Sequence, residues 1–225
     1  EGMYDGRFSG VVEEFLQNFS IRGEVGASCV LMLEGKVLLD IWGGKVPGDR
    51  GAWKKDTVCT VFSSTKGAMA LCAHLLQDRN ILDLDKPISH YWPEFAKHGK
   101  EDALVKMALD HSLGVPHYRD PIPGGGFYDY DYMVRRTEDE EAFWEPGTRV
   151  GYHAISMAWT VGEIVRRASS KRLGLLFKEE VARRLNIDFW IGGAGALGDR
   201  VSSIALADAD DDWLSTKFVA AVERR

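Results

Sequence analysis

Ser63 and Lys66 are the first pair in this chain whose types and spacing could do chemistry. They stand three positions apart in Val61-Phe62-Ser63-Ser64-Thr65-Lys66-Gly67, and an apolar segment of helical length runs on from them to Leu76. Residues three apart on a helix face the same side. Ser63 in the first turn would then meet Lys66 one turn on, a nucleophile beside the amine that activates it. Such an amine must first lose a proton. At the ordinary lysine pKa of about 10.4, roughly one molecule in 2,500 is neutral at pH 7. Burial or a neighbouring cation lowers that pKa. The helix N-terminus adds partial positive charge and free N–H groups for a developing oxyanion. On spacing alone the pair also fits an exposed lysine beside a helix-capping serine.

Tyr152 is the second candidate. Pro146-Gly147-Thr148-Arg149-Val150-Gly151 forms a turn that delivers it to the start of another apolar helical segment. A tyrosine there can share a proton with Ser63 and Lys66, first as base and then as acid. A core tyrosine bonded to backbone fits the same pattern. His111 and His153 have no acid at a spacing that would complete a Ser-His-Asp set, and the G-x-S-x-G elbow is absent. Both are read as structural or pocket-lining. Metal-binding spacings such as H-E-x-x-H are missing. Gly124-Gly125-Gly126 and Gly192-Gly193 lack the flanks of a phosphate loop. No cofactor is expected. Cys29, Cys59 and Cys72 lie in apolar segments without CxxC spacing, so they read as free thiols.

The elements that must position these residues follow from periodicity. Phe8, Val11, Val12, Phe15, Leu16 and Phe19 recur at helical spacing. Gly26 to Leu33 and Lys36 to Trp42 read as two strands around Glu34-Gly35, a hairpin. Asp56 to Phe62 reads as extended, leading into Ser63. Lys66 to Gln77 is apolar on nearly every side, the pattern of a buried helix. Short helices are expected after Leu82 and over Val105 to Leu109. Val115 to Gly126 is a long irregular stretch, of the kind that forms lids and pocket walls. Helices are predicted from about Tyr128 to Glu141, from His153 to Ala168 and from Leu173 to Leu185. The end of the chain has an Asp-rich loop, Asp208 to Asp212, and a closing helix from about Trp213. The class is α+β, and a lone hairpin needs further strands or packing to be stable.

Composition narrows the partners. The 225 residues carry 28 basic and 34 acidic side chains, a net charge of -6, with no basic stripe. Nucleic acid is not an expected partner. No run approaches 18 apolar residues, so no membrane partner is expected. Glu1 to Arg7 are polar and do not resemble a signal peptide. A cytoplasmic location is expected, unless a leader once preceded Glu1.

Several ordered segments resemble the serine β-lactamase-like superfamily, the penicillin-binding-protein or transpeptidase-like fold, and within it the family VIII carboxylesterases. They include Gly26-Ala27 with the hairpin ending Asp40-Ile41-Trp42-Gly43-Gly44, Trp53 with Asp56-Thr57, and Phe62-Ser63-Ser64-Thr65-Lys66-Gly67. They continue with Leu82-Asp83-Leu84-Asp85-Lys86-Pro87 before Tyr91-Trp92-Pro93-Glu94-Phe95, and His111-Ser112-Leu113-Gly114-Val115-Pro116. The most specific are Phe143-Trp144-Glu145-Pro146-Gly147-Thr148 leading to Gly151-Tyr152-His153-Ala154, and Asp188-Phe189-Trp190-Ile191-Gly192.

The resemblance implies that Ser63 is the acylated nucleophile and that Lys66 and Tyr152 are its proton-transfer partners. The Ser63 N–H would be half of the oxyanion hole. In β-lactamases and penicillin-binding proteins an asparagine follows two residues after the second-motif tyrosine or serine. Here that position is Ala154, which suits an esterase. The family's third motif, a K-T-G or W-G-G strand, has no match here. The reading is a single, incomplete domain over 1–225. It comprises a helix and sheet hairpin (1–62), a helical region with the motifs (63–191), and a connecting loop and helix (192–225). The C-terminal strands of the sheet are missing from it, and a second copy or additional polypeptide would complete the sheet. The expected substrate is a small ester with a short to medium acyl chain. β-Lactam hydrolysis, acyl transfer, and a catalytically weak binding scaffold are the alternatives. Tyr118, Phe127, Tyr128, Tyr130 and His153 are candidates for the pocket wall.

Overall fold

The computed structural model describes residues 1–48 and 50–205. The predicted Asp-rich loop at 208–212 and the closing helix from Trp213 lie outside the described residues. The chain divides into two compact units. One comprises residues 1–60 with those from 194 on, and the other comprises residues 61–193.

The first unit is built on a three-stranded antiparallel sheet. Its strands are β1 (Gly2–Tyr4), β2 (Gly26–Leu33) and β3 (Lys36–Gly44), in the order β1-β3-β2. The hairpin forms as its alternation predicts. Both turn residues, Glu34 and Gly35, have positive φ (50° and 76°), the pattern whose twist matches a two-residue hairpin. Cys29 stands opposite Ile41, and a bulge follows at Leu31/Met32. The third strand, β1, was not expected. It is three residues long, too short for an alternating pattern, and it is held by register with β3, Met3 opposite Asp40.

Leu39, Ile41 and Gly43 share one face of β3, because side chains alternate along a strand. Leu39 and Ile41 are buried. Gly43 approaches the rings of Phe15 and Phe19 on α1 (Ser9–Ser20), which themselves meet edge to face at 5.1 Å. The apolar stripe of α1 thus covers this sheet face.

Asp56 to Phe62 is not the extended segment that its β-branched residues suggest. Only Val58 forms a bridge, to Val201. Arg200 donates from Nε and Nη2 to the Asp56 carbonyl at 3.0 and 2.9 Å. These bonds join the segment to the described residues near 200.

The second unit is helical. It holds α2 (Thr65–Asp78), α3 (Val105–Leu109), α4 (Tyr130–Asp139), α5 (Ser156–Ser169), α6 (Leu173–Phe177) and α7 (Arg183–Leu185). A π-helical turn, Lys178–Ala182, makes α6 and α7 one continuous element. The core lies between α2, α5 and α6. Helix α2 contributes Met69, Cys72, Ala73 and Leu76, one stripe at i, i+3, i+4 and i+7. Helix α5 answers with Met157, Val161, Ile164 and Val165, and α6 with Leu173, Leu176 and Phe177. Unlike the fully enclosed helix expected from composition, α2 leaves Leu71 43% exposed. Its apolar residues exceed what one neighbouring layer covers.

Two ends of these helices are fixed locally. The Asp129 carboxylate accepts from the Tyr132 N–H to cap α4. Ser170, in the left-handed region, ends α5. Among the described residues no helix is long and apolar enough to cross a membrane.

Candidate active site

Ser63 lies in a 3-10 turn, Phe62–Ser64, that runs straight into α2. Lys66 is in the first turn of α2. Its Nζ donates to Ser63 Oγ at 3.2 Å and to the Ala154 carbonyl at 2.8 Å. The Tyr152 hydroxyl donates to the same Ser63 Oγ at 2.6 Å. Lys66 Nζ also stands 4.9 Å from the centre of the Tyr152 ring. One serine oxygen therefore receives two proton-bearing groups, one of them from a residue 89 positions away. Ser63 and Tyr152 are open to solvent, and Lys66 is half-buried.

Hydrogen bonding to Ser63 is the main reason the Tyr152 hydroxyl is held below the ordinary tyrosine pKa. Hydrogen bonding to Lys66 and the charge of that lysine act in the same direction. Phe62, just before Ser63, has φ of 43°, a left-handed conformation in a bulky, 68% exposed residue. That conformation costs about 1–2 kcal/mol, and strained backbone of this kind gathers at functional sites.

Tyr152 is held in place from both sides. On one side the Gly151 N–H donates to the His111 carbonyl at 3.1 Å. Gly151 also lies close against the Trp144 indole, where a Cβ would come within 2.6 Å of Cη2. On the other side the His153 N–H donates to His111 Nδ1 at 3.2 Å. His153 Nε2 accepts from the Val115 N–H at 3.0 Å, so its proton sits on Nδ1, which donates to the Gly151 carbonyl at 2.6 Å. His153 is 1% exposed, and burial pushes its pKa down to about 4. The His111 ring meets the Tyr152 ring edge-on at 4.9 Å. Burial, and then the charge of Lys66, lower the His111 pKa.

Ser63, Lys66 and Tyr152 thus come together. Among the described residues the expected wall residues Tyr118, Phe127, Tyr128 and Tyr130 make no hydrogen bond or ring contact with these three. His153 is buried, and both of its ring nitrogens are engaged with backbone. The Tyr118 hydroxyl is bonded to Thr137 Oγ1 at 2.9 Å, and burial raises its pKa. Tyr128 is 94% exposed, and Phe127 is on the same 3-10 turn. Tyr130 donates to Glu163 Oε2 at 3.0 Å and lines a separate cavity. Sequence reasoning missed the support that His111 and Trp144 give Tyr152. The Trp144-Glu145-Pro146-Gly147 turn was its only trace. Among the described residues no three His, Cys, Asp or Glu side chains cluster as a metal site requires.

The family model for beta-lactamase matches residues 9–223. Over 194 residues the chain is 34% identical to a protein named esterase/beta-lactamase LipL from Mycobacterium tuberculosis, covering 83% of this chain and 43% of that one. A family VIII carboxylesterase structure superposes with a TM-score of 0.82 at 35% identity, over 91% of this chain and 57% of that chain. A penicillin-binding protein homolog from Caulobacter crescentus gives 0.86 at 31% identity, over 93% and 57%. The chain spans about half the length of these relatives. The family model covers nearly all of it, as the Ser63, Lys66 and Tyr152 motifs implied, and the chain belongs to the beta-lactamase family.

Proposed function

We propose that this chain carries the nucleophile and proton-transfer groups of a serine hydrolase that cleaves carboxylic esters through a Ser63 acyl-enzyme. The observation that supports this most is the convergence of Tyr152 and Lys66 on Ser63 Oγ, at 2.6 and 3.2 Å. Both groups donate in the resting arrangement. Loss of one proton from the Tyr152/Lys66 pair turns it into an acceptor for the Ser63 hydroxyl proton. Ser63 Oγ then attacks the ester carbonyl, and a tetrahedral intermediate forms with its oxyanion at the N-terminal end of α2. There the helix dipole and the Ser63 N–H stabilise it. The pair returns the proton to the leaving alcohol, whose C–O bond breaks and leaves acyl-Ser63. Water, deprotonated by the same pair, attacks the acyl carbon, and Ser63 recovers its proton as the acid departs.

Ala154 favours an ester over an amide substrate. Two residues past Tyr152 it offers only a methyl group, with no side-chain amide to hold a substrate N–H. Short to medium acyl chains are the substrates to test first. β-Lactam hydrolysis passes through the same acyl-enzyme, and a relative at 34% identity bears both activities in its name.

The test uses p-nitrophenyl acetate, butyrate and octanoate, nitrocefin, and a fluorophosphonate probe with intact-mass detection. The expected result is one phosphonyl adduct, absent in Ser63→Ala, with turnover of the esters and none of nitrocefin. Neither adduct nor ester turnover would overturn the proposal. Nitrocefin turnover exceeding that of the esters would replace it with the lactam reading.

A further inference from the structure

Outside the Ser63 group the second unit holds a cavity of about 820 Å³. It shares no lining residue with Ser63, Lys66 or Tyr152. Its size falls in the range of small-molecule sites. The apolar walls come from Leu173, Ile187, Phe189, Trp190 and Ile191, and from the ring of Tyr130. Ala158 and Gly162, one turn apart on α5, keep one side open. The opposite wall is pinned. Gly174 on α6 approaches the Ile191 carbonyl so closely that a Cβ there would stand 2.2 Å from the oxygen.

The charged groups on this cavity are one-sided in chemistry. No Asp or Glu lines it, whereas Arg172, Lys178 and Arg183 do. Neighbouring cations on the same helices are neutralised: Arg166 and Arg167 by Glu163, Lys171 by Glu179, and Arg184 by Glu180. Among the described residues Arg172, Lys178 and Arg183 form no ion pair, and two of them rest on aromatic faces. Arg172 is 4.8 Å from the Tyr130 ring centre, and Lys178 is 5.2 Å from that of Trp190. The Trp159 indole N–H, also on the wall, is buried and meets no acceptor among the described residues. Buried donors of this kind normally have partners.

The π-helical turn Lys178–Ala182 borders this cavity, with both of its end residues on the wall. Such turns, rare in helices, occur frequently at functional sites because they redirect side chains.

An apolar body of this size whose charged lining groups are all cationic calls for a ligand with the complementary build. We propose that the cavity binds a long-chain carboxylate: an alkyl chain along Leu173, Phe189, Trp190 and Ile191, with its head among Arg172, Lys178 and Arg183. Guanidinium groups pair with carboxylates through two parallel hydrogen bonds. The site stands apart from the hydrolase reading, and its test runs in the Ser63→Ala protein, where ester chemistry cannot contribute.

Isothermal titration of the 225-residue Ser63→Ala chain with dodecanoate, below its micelle concentration, should give saturable one-to-one binding. Dodecyltrimethylammonium, the same chain with a cationic head, should bind at least tenfold more weakly. Replacing Arg172, Lys178 and Arg183 together by Gln should weaken dodecanoate at least tenfold. Ala158→Trp, which fills the cavity from an exposed position, should abolish it. Absence of saturable binding, or equal binding of the cationic amphiphile, overturns the proposal without any variant having to fold. Light scattering adds a second outcome: a dimer that Ala158→Trp converts to monomer would make a second copy the occupant, and would overturn it equally.

Discussion

The Tyr152 hydroxyl donates to Ser63 Oγ over 2.6 Å, although the two residues are 89 positions apart. No contact within one helix could make this bond. It depends on α2 and α5 packing through Met69, Cys72, Val161 and Ile164, so the core sets the reach of the proton-transfer group.

Tyr152→Phe removes the proton carrier and leaves the ring. The expected effect on p-nitrophenyl butyrate hydrolysis is a fall in kcat of about 10²–10⁴, the usual weight of a general acid–base group, with KM little changed. Tyr152 is 55% exposed, so the melting temperature should stay within a degree or two. A variant that keeps full kcat would remove Tyr152 from the chemistry.

The pH dependence of the proposed activity follows from the same group. Hydrogen bonding to Ser63 and Lys66 places the Tyr152 pKa below that of a free tyrosine. Activity that needs its ionised form should rise with pH and level off before the ordinary value of about 10. A kcat profile that still climbs through that value, or that survives unchanged in Tyr152→Phe, would point to another base.

His153 makes stability depend on acid. Its folded pKa is about 4, against an ordinary 6.5, because burial disfavours the imidazolium. A depressed folded pKa means that the unfolded chain binds the proton first. The contribution is complete above about 6.5 and is lost as the pH falls towards 4. Thermal melts from pH 7 to 4.5 should show a decline that is flatter in His153→Gln. Identical slopes in the two proteins would contradict the buried neutral imidazole.

Lys100 acts at the alkaline end. Its ammonium is 1% exposed and donates to the Glu138 and Glu140 carbonyls. Burial, reinforced by Lys97, lowers its pKa to about 8. Between about 8 and the ordinary 10.5 the unfolded chain holds a proton that the folded chain has released, so stability rises with pH across that window. Urea unfolding at pH 7.5 and 9.5 should show this rise in the parent and lose it in Lys100→Met.

Glu163 is a buried carboxylate that ties three groups together: Arg166, Arg167 and the Tyr130 hydroxyl. Burial alone would raise its pKa, but the hydrogen bonds from these partners outweigh it and the pKa falls. Glu163→Gln takes the counter-charge from Arg166, whereas Arg167 keeps Glu94 at 2.6 Å. The expected cost is about 3 kcal/mol, the lower end for a broken buried pair, because Arg166 is 40% exposed. A urea midpoint that does not move would show that solvent replaces the carboxylate.

Most helices of this fold could be read from the sequence, because Met69-Cys72-Ala73-Leu76 and Met157-Val161-Ile164-Val165 repeat at helical spacing. Ser63 and Lys66 were legible for the same reason, since both sit on one local turn. β1 was not, because three residues carry no period and its pairing partner lies far along the chain, Met3 with Asp40 in β3. Asp56 to Phe62 reads as an extended segment leading into Ser63. Only Val58 found a partner, and strand preference without pairing is weak. The hold of His111 and Trp144 on Tyr152 could not be read either. It joins side chains to backbone groups, His111 to His153 across 42 positions and Trp144 to Gly151, and local spacing does not encode such pairings.

Lys66 is anchored by the carbonyl of Ala154, a main-chain atom. Any residue at 154 that keeps the local backbone would present the same oxygen. The exposed side chain two positions past Tyr152 is therefore free to drift while the anchor stays constant. Variation there can retune which molecules are accepted without a detour through inactive sequences. A saturation library at position 154 is where new substrate preference should be cheapest to evolve.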